Sequence, residues 1–261
     1  MVNGPLLLAR EDALKAEVCE EIVRLGAERV YILGGSGAVS ALVEAELRGL
    51  LGSANVRRLG GVDRYETARL IAAEVIWLQG PAYDGTALVA SGSTFADALA
   101  ASPLAAAHGW PILLANPRGG AVGLPASASN VVVLGGIGAV SEQAWADLEA
   151  ALGEGHVTRV GGVDRYETAA VIAAYGAGHG AVWECVGIAT GADFPDGLAA
   201  GAALGARGGL LLLTPTEALH DATRSALESN AESVKSAYII GGDGAVSAEV
   251  EVAVRAALGT E

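Results

Sequence analysis

The chain has 261 residues, 52% of them hydrophobic and only 5% aromatic, with a formal net charge of −14. This supplies a core for one large or two ordinary domains. The acid excess excludes a nucleic-acid backbone as partner, since that needs a basic face, and gives no general attraction to anionic lipid.

In chain order, Pro5-Leu6-Leu7-Leu8 is a first extended run. Val56–Leu59 is a second, and Asp63 opens a helix on which Ala68, Ile71, Ala72 and Val75 share a face. Thr86–Ala90 reads as a buried strand, and Phe95–His108 as an Ala-rich helix that Pro103 should kink or break. Pro111–Leu114 and Val131–Leu134 are further strands, and Ser141 caps a helix running through Leu152. Val186–Ala189, Phe194–Leu204, Leu210–Leu213 and Tyr238–Ile240 then repeat the series. The strands are near-continuous apolar runs, as in parallel sheets buried on both faces. The fold expected is α/β, in small parallel sheets with right-handed crossovers.

The repetition is literal. Gly60-Gly61-Val62-Asp63-Arg64-Tyr65-Glu66-Thr67-Ala68 returns as Gly161-Gly162-Val163-Asp164-Arg165-Tyr166-Glu167-Thr168-Ala169. The turns Leu33–Ser40, Leu134–Ser141 and Ile240–Ser247 share the pattern Gly-Gly-x-Gly-Ala-Val-Ser. Such periodicity marks a tandem array. The divisions are residues 1–56, a first repeat with only its back half; 57–157, a complete second repeat; and 158–261, a complete third. Pro5–Leu8 aligns with Pro111–Leu114, so the chain opens halfway through a repeat. A half-repeat leaves an open sheet edge and an uncovered apolar face. The expectation is a truncated chain that swaps, homo-oligomerises or borrows cover from sister repeats. An active site is usually built once, whereas a binding surface gains from repetition.

No apolar run reaches the about 18 residues of a membrane span, so no membrane insertion is expected. Met1-Val2-Asn3-Gly4 lacks a leader's basic start and cleavage site; a leader, on this reading, lies outside the truncated chain. Cys19 and Cys185 have no His or Cys neighbours at ligand spacing and read as small apolar thiols. Neither a metal nor a cofactor is expected.

Three sets of residues are candidates for binding or for contacts between repeats. The first is the glycine turns, with Gly35 and Gly37, Gly136 and Gly138, and Gly242 and Gly244. A glycine turn feeding a helix can cradle an anion; the plainer reading is a tight turn with a serine cap. A dinucleotide site wants an acid about 20 positions on, where Asn55 and His156 stand in the first two copies. The second set is Asp63, Arg64 and Tyr65 with Asp164, Arg165 and Tyr166. Asp suits a helix start, and Arg and Tyr are interface anchors, so a contact between repeats competes with ligand contact. The third is Ser91 and Asp97 with Thr190 and Asp196, at strand ends where open α/β sheets bind ligands; capping is the alternative. No Gly-x-Ser-x-Gly, His-Glu-x-x-His or Cys-x-x-Cys is present, and the four histidines fall off-register. No catalytic residue is assigned.

Arg58–Ala68, Ala90–Leu99, Pro103-Leu104-Ala105, Pro111–Leu114 and Leu134–Ser141 together resemble the cell-wall-binding repeat 2 family, and the third copy adds Phe194-Pro195-Asp196-Gly197-Leu198. The resemblance implies Rossmann-like or Toprim-like modules packed about a pseudo-threefold axis. It implies bacterial surface proteins, secreted and held non-covalently to an anionic wall glycopolymer, without catalysis by the repeats. The Asp-x-Asp pair of a catalytic Toprim site is not seen. A charge of −14 suits an anionic polymer poorly, so attraction would need local Arg clusters, helix N-termini or bridging cations. Two alternatives remain at this level: a nucleotide or phosphoryl-transfer enzyme using the glycine turns, and a structural self-assembling surface-layer array.

Overall fold

The computed structural model describes residues 4–260. Met1–Asn3, part of the stretch that bears on a leader, and Glu261 lie outside the described residues. Among the described residues, nine strands make three small sheets, and every strand pairing is parallel. β1 (Val30–Leu33) pairs with β2 (Val56–Leu59). The middle sheet has the order β4-β3-β5-β6, from β3 (Thr86–Ser91), β4 (Ile112–Ala115), β5 (Asn130–Leu134) and β6 (Val157–Val160). The last has the order β8-β7-β9, from β7 (Cys185–Thr190), β8 (Leu210–Thr214) and β9 (Ser236–Ile240). The fold is α/β with small parallel sheets. The strand opening each repeat closes the preceding repeat's sheet: β2 lies on β1, and β6 on β5.

Among the described residues, ten α-helices cover the sheets: α1 (Ala16–Arg24), α2 (Ala41–Leu51), α3 (Arg64–Gln79), α4 (Ala96–Ala100), α5 (Ser102–His108), α6 (Glu142–Leu152), α7 (Arg165–Ala177), α8 (Pro195–Gly205), α9 (Asp221–Ser229) and α10 (Ala248–Ala257). Ser40, Ser141 and Ser247 each accept a backbone N–H bond at the start of α2, α6 and α10, the cap expected at a helix N-terminus. The Phe95–His108 segment is indeed broken, at Ala101, because Pro103 cannot donate to the helical ladder. Its counterpart α8 carries its proline in the first turn, where no donor is lost, and runs unbroken.

Two expectations need correction. Pro5–Leu8 is not a strand. The corresponding strands β4 and β8 pair only with β3 and β7, and no counterpart of β3 or β7 stands beside Pro5–Leu8 among the described residues. The third copy does not match the second element for element: α9 has no helical counterpart between β4 and β5, where prolines and glycines fill the chain.

The core lies in layers. Leu99 and Leu104 from α4 and α5 join Leu88, Ile172, Leu204 and Leu213 in one cluster between the middle and last sheets. At that seam α8 meets α5 so closely that a Cβ on Gly205 would lie 2.6 Å from Ala106 Cβ and 2.7 Å from the Pro103 carbonyl oxygen.

Candidate functional site

All three sets of candidate residues follow the C-terminal ends of the parallel strands, the edge where open α/β sheets bind ligands. The glycine turns follow β1, β5 and β9; Asp63 and Asp164 follow β2 and β6; Ser91 and Thr190 end β3 and β7. The turns pack backbone to backbone. Gly34 N–H donates to the Leu59 carbonyl (2.8 Å) and Gly135 N–H to that of Val160 (2.8 Å). A Cβ on Gly60 would lie 2.4 Å from the Gly34 carbonyl, and one on Gly161 would lie 2.5 Å from the carbonyl carbon of Gly135. Glycine is therefore required there by close approach.

Beneath two turns lies a guanidinium that the sequence reading did not single out. Arg58 Nη1 donates to the Gly34 carbonyl (2.8 Å) and Nη2 to that of Ser40 (3.3 Å). Arg159 Nη1 donates to the Gly135 and Val140 carbonyls (3.1 and 3.0 Å). The Arg before each Gly-Gly was the available signal. Arg58 also pairs with Glu44 at 2.7 Å, and that hydrogen bond holds the Glu44 carboxyl below its ordinary range.

The Asp-Arg-Tyr-Glu-Thr segments are largely occupied by their own backbone. Asp63 Oδ1 accepts from Glu66 N–H (2.8 Å), and Glu66 Oε2 accepts from Val62 N–H (2.7 Å). Asp164 and Glu167 do the same in the next copy, a reciprocal arrangement like a capping box. Thr67 and Thr168 accept from Gly61 and Gly162 N–H, each at 3.0 Å. Arg64 Nη1 donates to the Gly92 carbonyl (2.8 Å), and Arg165 Nη1 likewise to Gly191. Arg165 also lies 5.7 Å from the Phe95 ring centroid, a contact across the seam between repeats.

The strand-end hydroxyls turn inward. Ser91 Oγ accepts from Ser93 N–H (3.2 Å), and Thr190 Oγ1 from Ala192 N–H (3.1 Å). Asp97 is only 7% exposed, and its Oδ2 stands where a Cβ of Gly135 would be. Burial pushes its carboxyl above the usual range, while Arg165 pulls against that shift. Asp196 stands similarly at Gly241 but is exposed.

One candidate triplet borders open polar space. Asp63 and Tyr65, with Arg69 one turn on, line a cleft of about 170 Å³ closed by Asn116 and the loop Gly119–Val122. Gly123, at φ +72°, leaves room for the Arg69 side chain. In the third copy His220 occupies the corresponding place. Its ring centroid lies 4.6 Å from that of Tyr166, and Nε2 lies 3.3 Å from Asp164 Oδ2. Nδ1 accepts from Ala222 N–H (3.3 Å), which assigns the ring proton to Nε2. Val62 and Val163 project beside these sites, 94% and 93% exposed, and were also not anticipated. Among the described residues, no group of three His, Cys, Asp or Glu could hold a metal ion.

The family model for Cell wall binding domain 2 (CWB2) matches residues 58–144 and 159–251. The chain belongs to the CWB2 family. N-acetylmuramoyl-L-alanine amidase LytC of Bacillus subtilis is 28% identical over 254 residues, covering 95% of this chain and 47% of that protein. The amidase enhancer of the same organism is 35% identical over 113 residues, 43% of this chain and 15% of that one. Among solved structures, Cwp8 from Clostridium difficile superposes with a TM-score of 0.81 at 26% identity, over 98% of this chain and 43% of Cwp8. Cwp6 from the same organism gives 0.79 at 24% identity, over 98% and 40%, a likeness of fold. The chain thus spans less than half of each of these proteins. The CWB2 match makes it a tandem-repeat protein of cell-wall-binding type, and its two matched segments contain both Asp-Arg-Tyr triplets.

Proposed function

We propose that this CWB2 chain is a non-catalytic attachment region that holds a secreted surface protein to an anionic wall glycopolymer. The observation that carries the reading is the CWB2 match over residues 58–144 and 159–251, together with an open polar cleft at the strand ends in the first of these segments. In that cleft Tyr65 offers a ring and hydroxyl to a sugar. Arg69 offers a cation to a phosphate or carboxylate, and Asn116 offers an amide to hydroxyls. This local cation answers the objection raised by the overall charge, because screening limits exposed charges to about 10 Å at moderate salt. Asp63, Glu66 and Thr67 hold the backbone that carries Tyr65 and Arg69. The same bonds leave few free polar groups for acid–base work, which supports binding over turnover. His220 fills the equivalent space in the third copy, so the two copies bind with unequal strength.

Sedimentation with purified cell walls tests this reading. The chain is expected to pellet with intact walls and to stay in solution once the secondary polymer is stripped from the peptidoglycan. Equal pelleting with stripped walls would remove the proposed ligand, and release of soluble wall fragments by the pure chain would remove the non-catalytic assignment.

A further inference from the structure

The third repeat carries its own occupant at the place where the second is open. Tyr65 and Tyr166 are seated alike, since a Cβ on Gly92 or on Gly191 would collide with Cε1 of the ring. Asp63 and Asp164 are alike as well, each spending Oδ1 on its helix cap. In the third repeat the remaining oxygen, Asp164 Oδ2, lies 3.3 Å from His220 Nε2, and the imidazole lies against Tyr166 with 4.6 Å between centroids. In the second repeat, Asp63 Oδ2 bonds to no group among the described residues, and Tyr65 borders the cleft.

The loop after β8 holds His220 in place. Its N–H donates to Thr214 Oγ1 (3.0 Å), that hydroxyl donates to the Ala218 carbonyl (2.9 Å), and Nδ1 caps α9. Thr214 is fully buried. It pairs with Thr190 as Ala115 pairs with Ser91, so the two are counterparts in the strand register. Ala115 has no hydroxyl with which to pin its loop. His220 and Ala121 stand equally far beyond Thr214 and Ala115, and Ala121 lines the open cleft. Arg69 lines it too, whereas the same position of α7 is Ala170.

We propose that His220 is a built-in stand-in for the ligand: it blocks the third repeat's site and marks how the second repeat's cleft is filled. The inference rests on the binding role proposed above. An imidazole offers a ring to Tyr166 and one N–H to Asp164. A sugar unit offers the same pair to the second repeat, a C–H face for Tyr65 and a hydroxyl for Asp63 Oδ2. Arg69 adds a cation for a phosphate or carboxylate, which the third repeat lacks at Ala170. A cleft of about 170 Å³ is well below the about 300–1,000 Å³ of sites that enclose a drug-sized ligand, so one ring enters and the rest of a polymer stays outside. The ligand of the cleft is a single acidic sugar unit. An intramolecular occupant acts at an effective concentration of about millimolar or more, so His220 keeps such a unit out of the third repeat.

The test follows amide chemical shifts while the chain is titrated with glucuronate, glucose-6-phosphate, methyl glucoside and inorganic phosphate. The first two separate a carboxylate from a phosphate as the anion. Saturable shifts at Asp63–Arg69 with either acidic sugar, at least about tenfold tighter than with methyl glucoside or phosphate alone, are expected from one charge-assisted bond. Ala121→His should abolish them. His220→Ser keeps an acceptor at the α9 cap and should add shifts at Asp164–Ala170 that show no preference for the acids. Acidic sugars that bind no tighter than the neutral sugar or phosphate, or a third repeat that stays silent in the folded His220→Ser chain, would overturn the inference. Sedimentation with intact walls separates it from the attachment role. Pelleting beside unselective sugar binding overturns this inference and leaves attachment standing; selective sugar binding without pelleting supports it and removes attachment.

Discussion

Gly60 and Gly161 are held by geometry, since any Cβ there meets the backbone of the neighbouring turn at 2.4–2.5 Å. Gly60→Ala should cost about 1–3 kcal/mol, the range of overpacking. Gly37→Ala, with nothing within 4 Å and no positive φ, should stay within about 0.5 kcal/mol. Denaturant midpoints of the two variants check the contrast. Asp97 carries a pH signature. Burial raises its carboxyl pKa in the fold, so the native state holds its proton more tightly than the unfolded chain does. Its contribution is fully present below the ordinary Asp value of about 3.9 and is lost as pH rises through the raised value. Relative to Asp97→Asn, the original chain should lose stability over that window; a pH-independent difference in melting temperature would refute the assignment. Much of this scale was legible in the sequence. Asp before a helix, Glu three residues on and paired glycines announce caps and tight turns. What stands beside Tyr65 and Tyr166 was not legible, because Asn116 and His220 arrive from loops that only the sheet brings near them.

At the scale of elements, the seam between repeats depends on small residues. Gly205→Ala should destabilise the chain by about 1–3 kcal/mol, because the new Cβ meets the backbone carbonyl of Pro103 at 2.7 Å. A neutral unfolding midpoint would show that α8 shifts freely away from α5. Strands and capped helices were readable because apolar runs, prolines and serine caps act locally. Pro5–Leu8 misled because a strand needs a neighbour: the same kind of run pairs as β4 beside β3, whereas Pro5–Leu8 has no partner strand among the described residues. The helix α9 was hidden because the second copy, the pattern from which the third is read, has prolines and glycines in place of a helix between β4 and β5.

For the whole molecule, cohesion is uneven. The middle and last sheets share a large cluster with α4, α5, α7 and α8, whereas β1 and β2 form a two-stranded sheet over the small core of Ile22, Ile32, Val43, Leu47 and Val56. Sheets of two strands are marginal without further packing. Amides of Val30–Leu33 should therefore exchange faster than those of Val131–Leu134 by about tenfold or more, and equal protection would mean that the array opens as one unit. In the proposed function, wall attachment is the property that repetition serves, and the open cleft lined by Asp63, Tyr65 and Arg69 is where that proposal is most directly tested. Amide chemical shifts of the chain should be recorded with soluble polymer released from the wall. The account predicts saturable shifts concentrated at Asp63–Arg69 and Asn116–Val122, weakened by Arg69→Ala; shifts confined to other surfaces, or none at all, would contradict it.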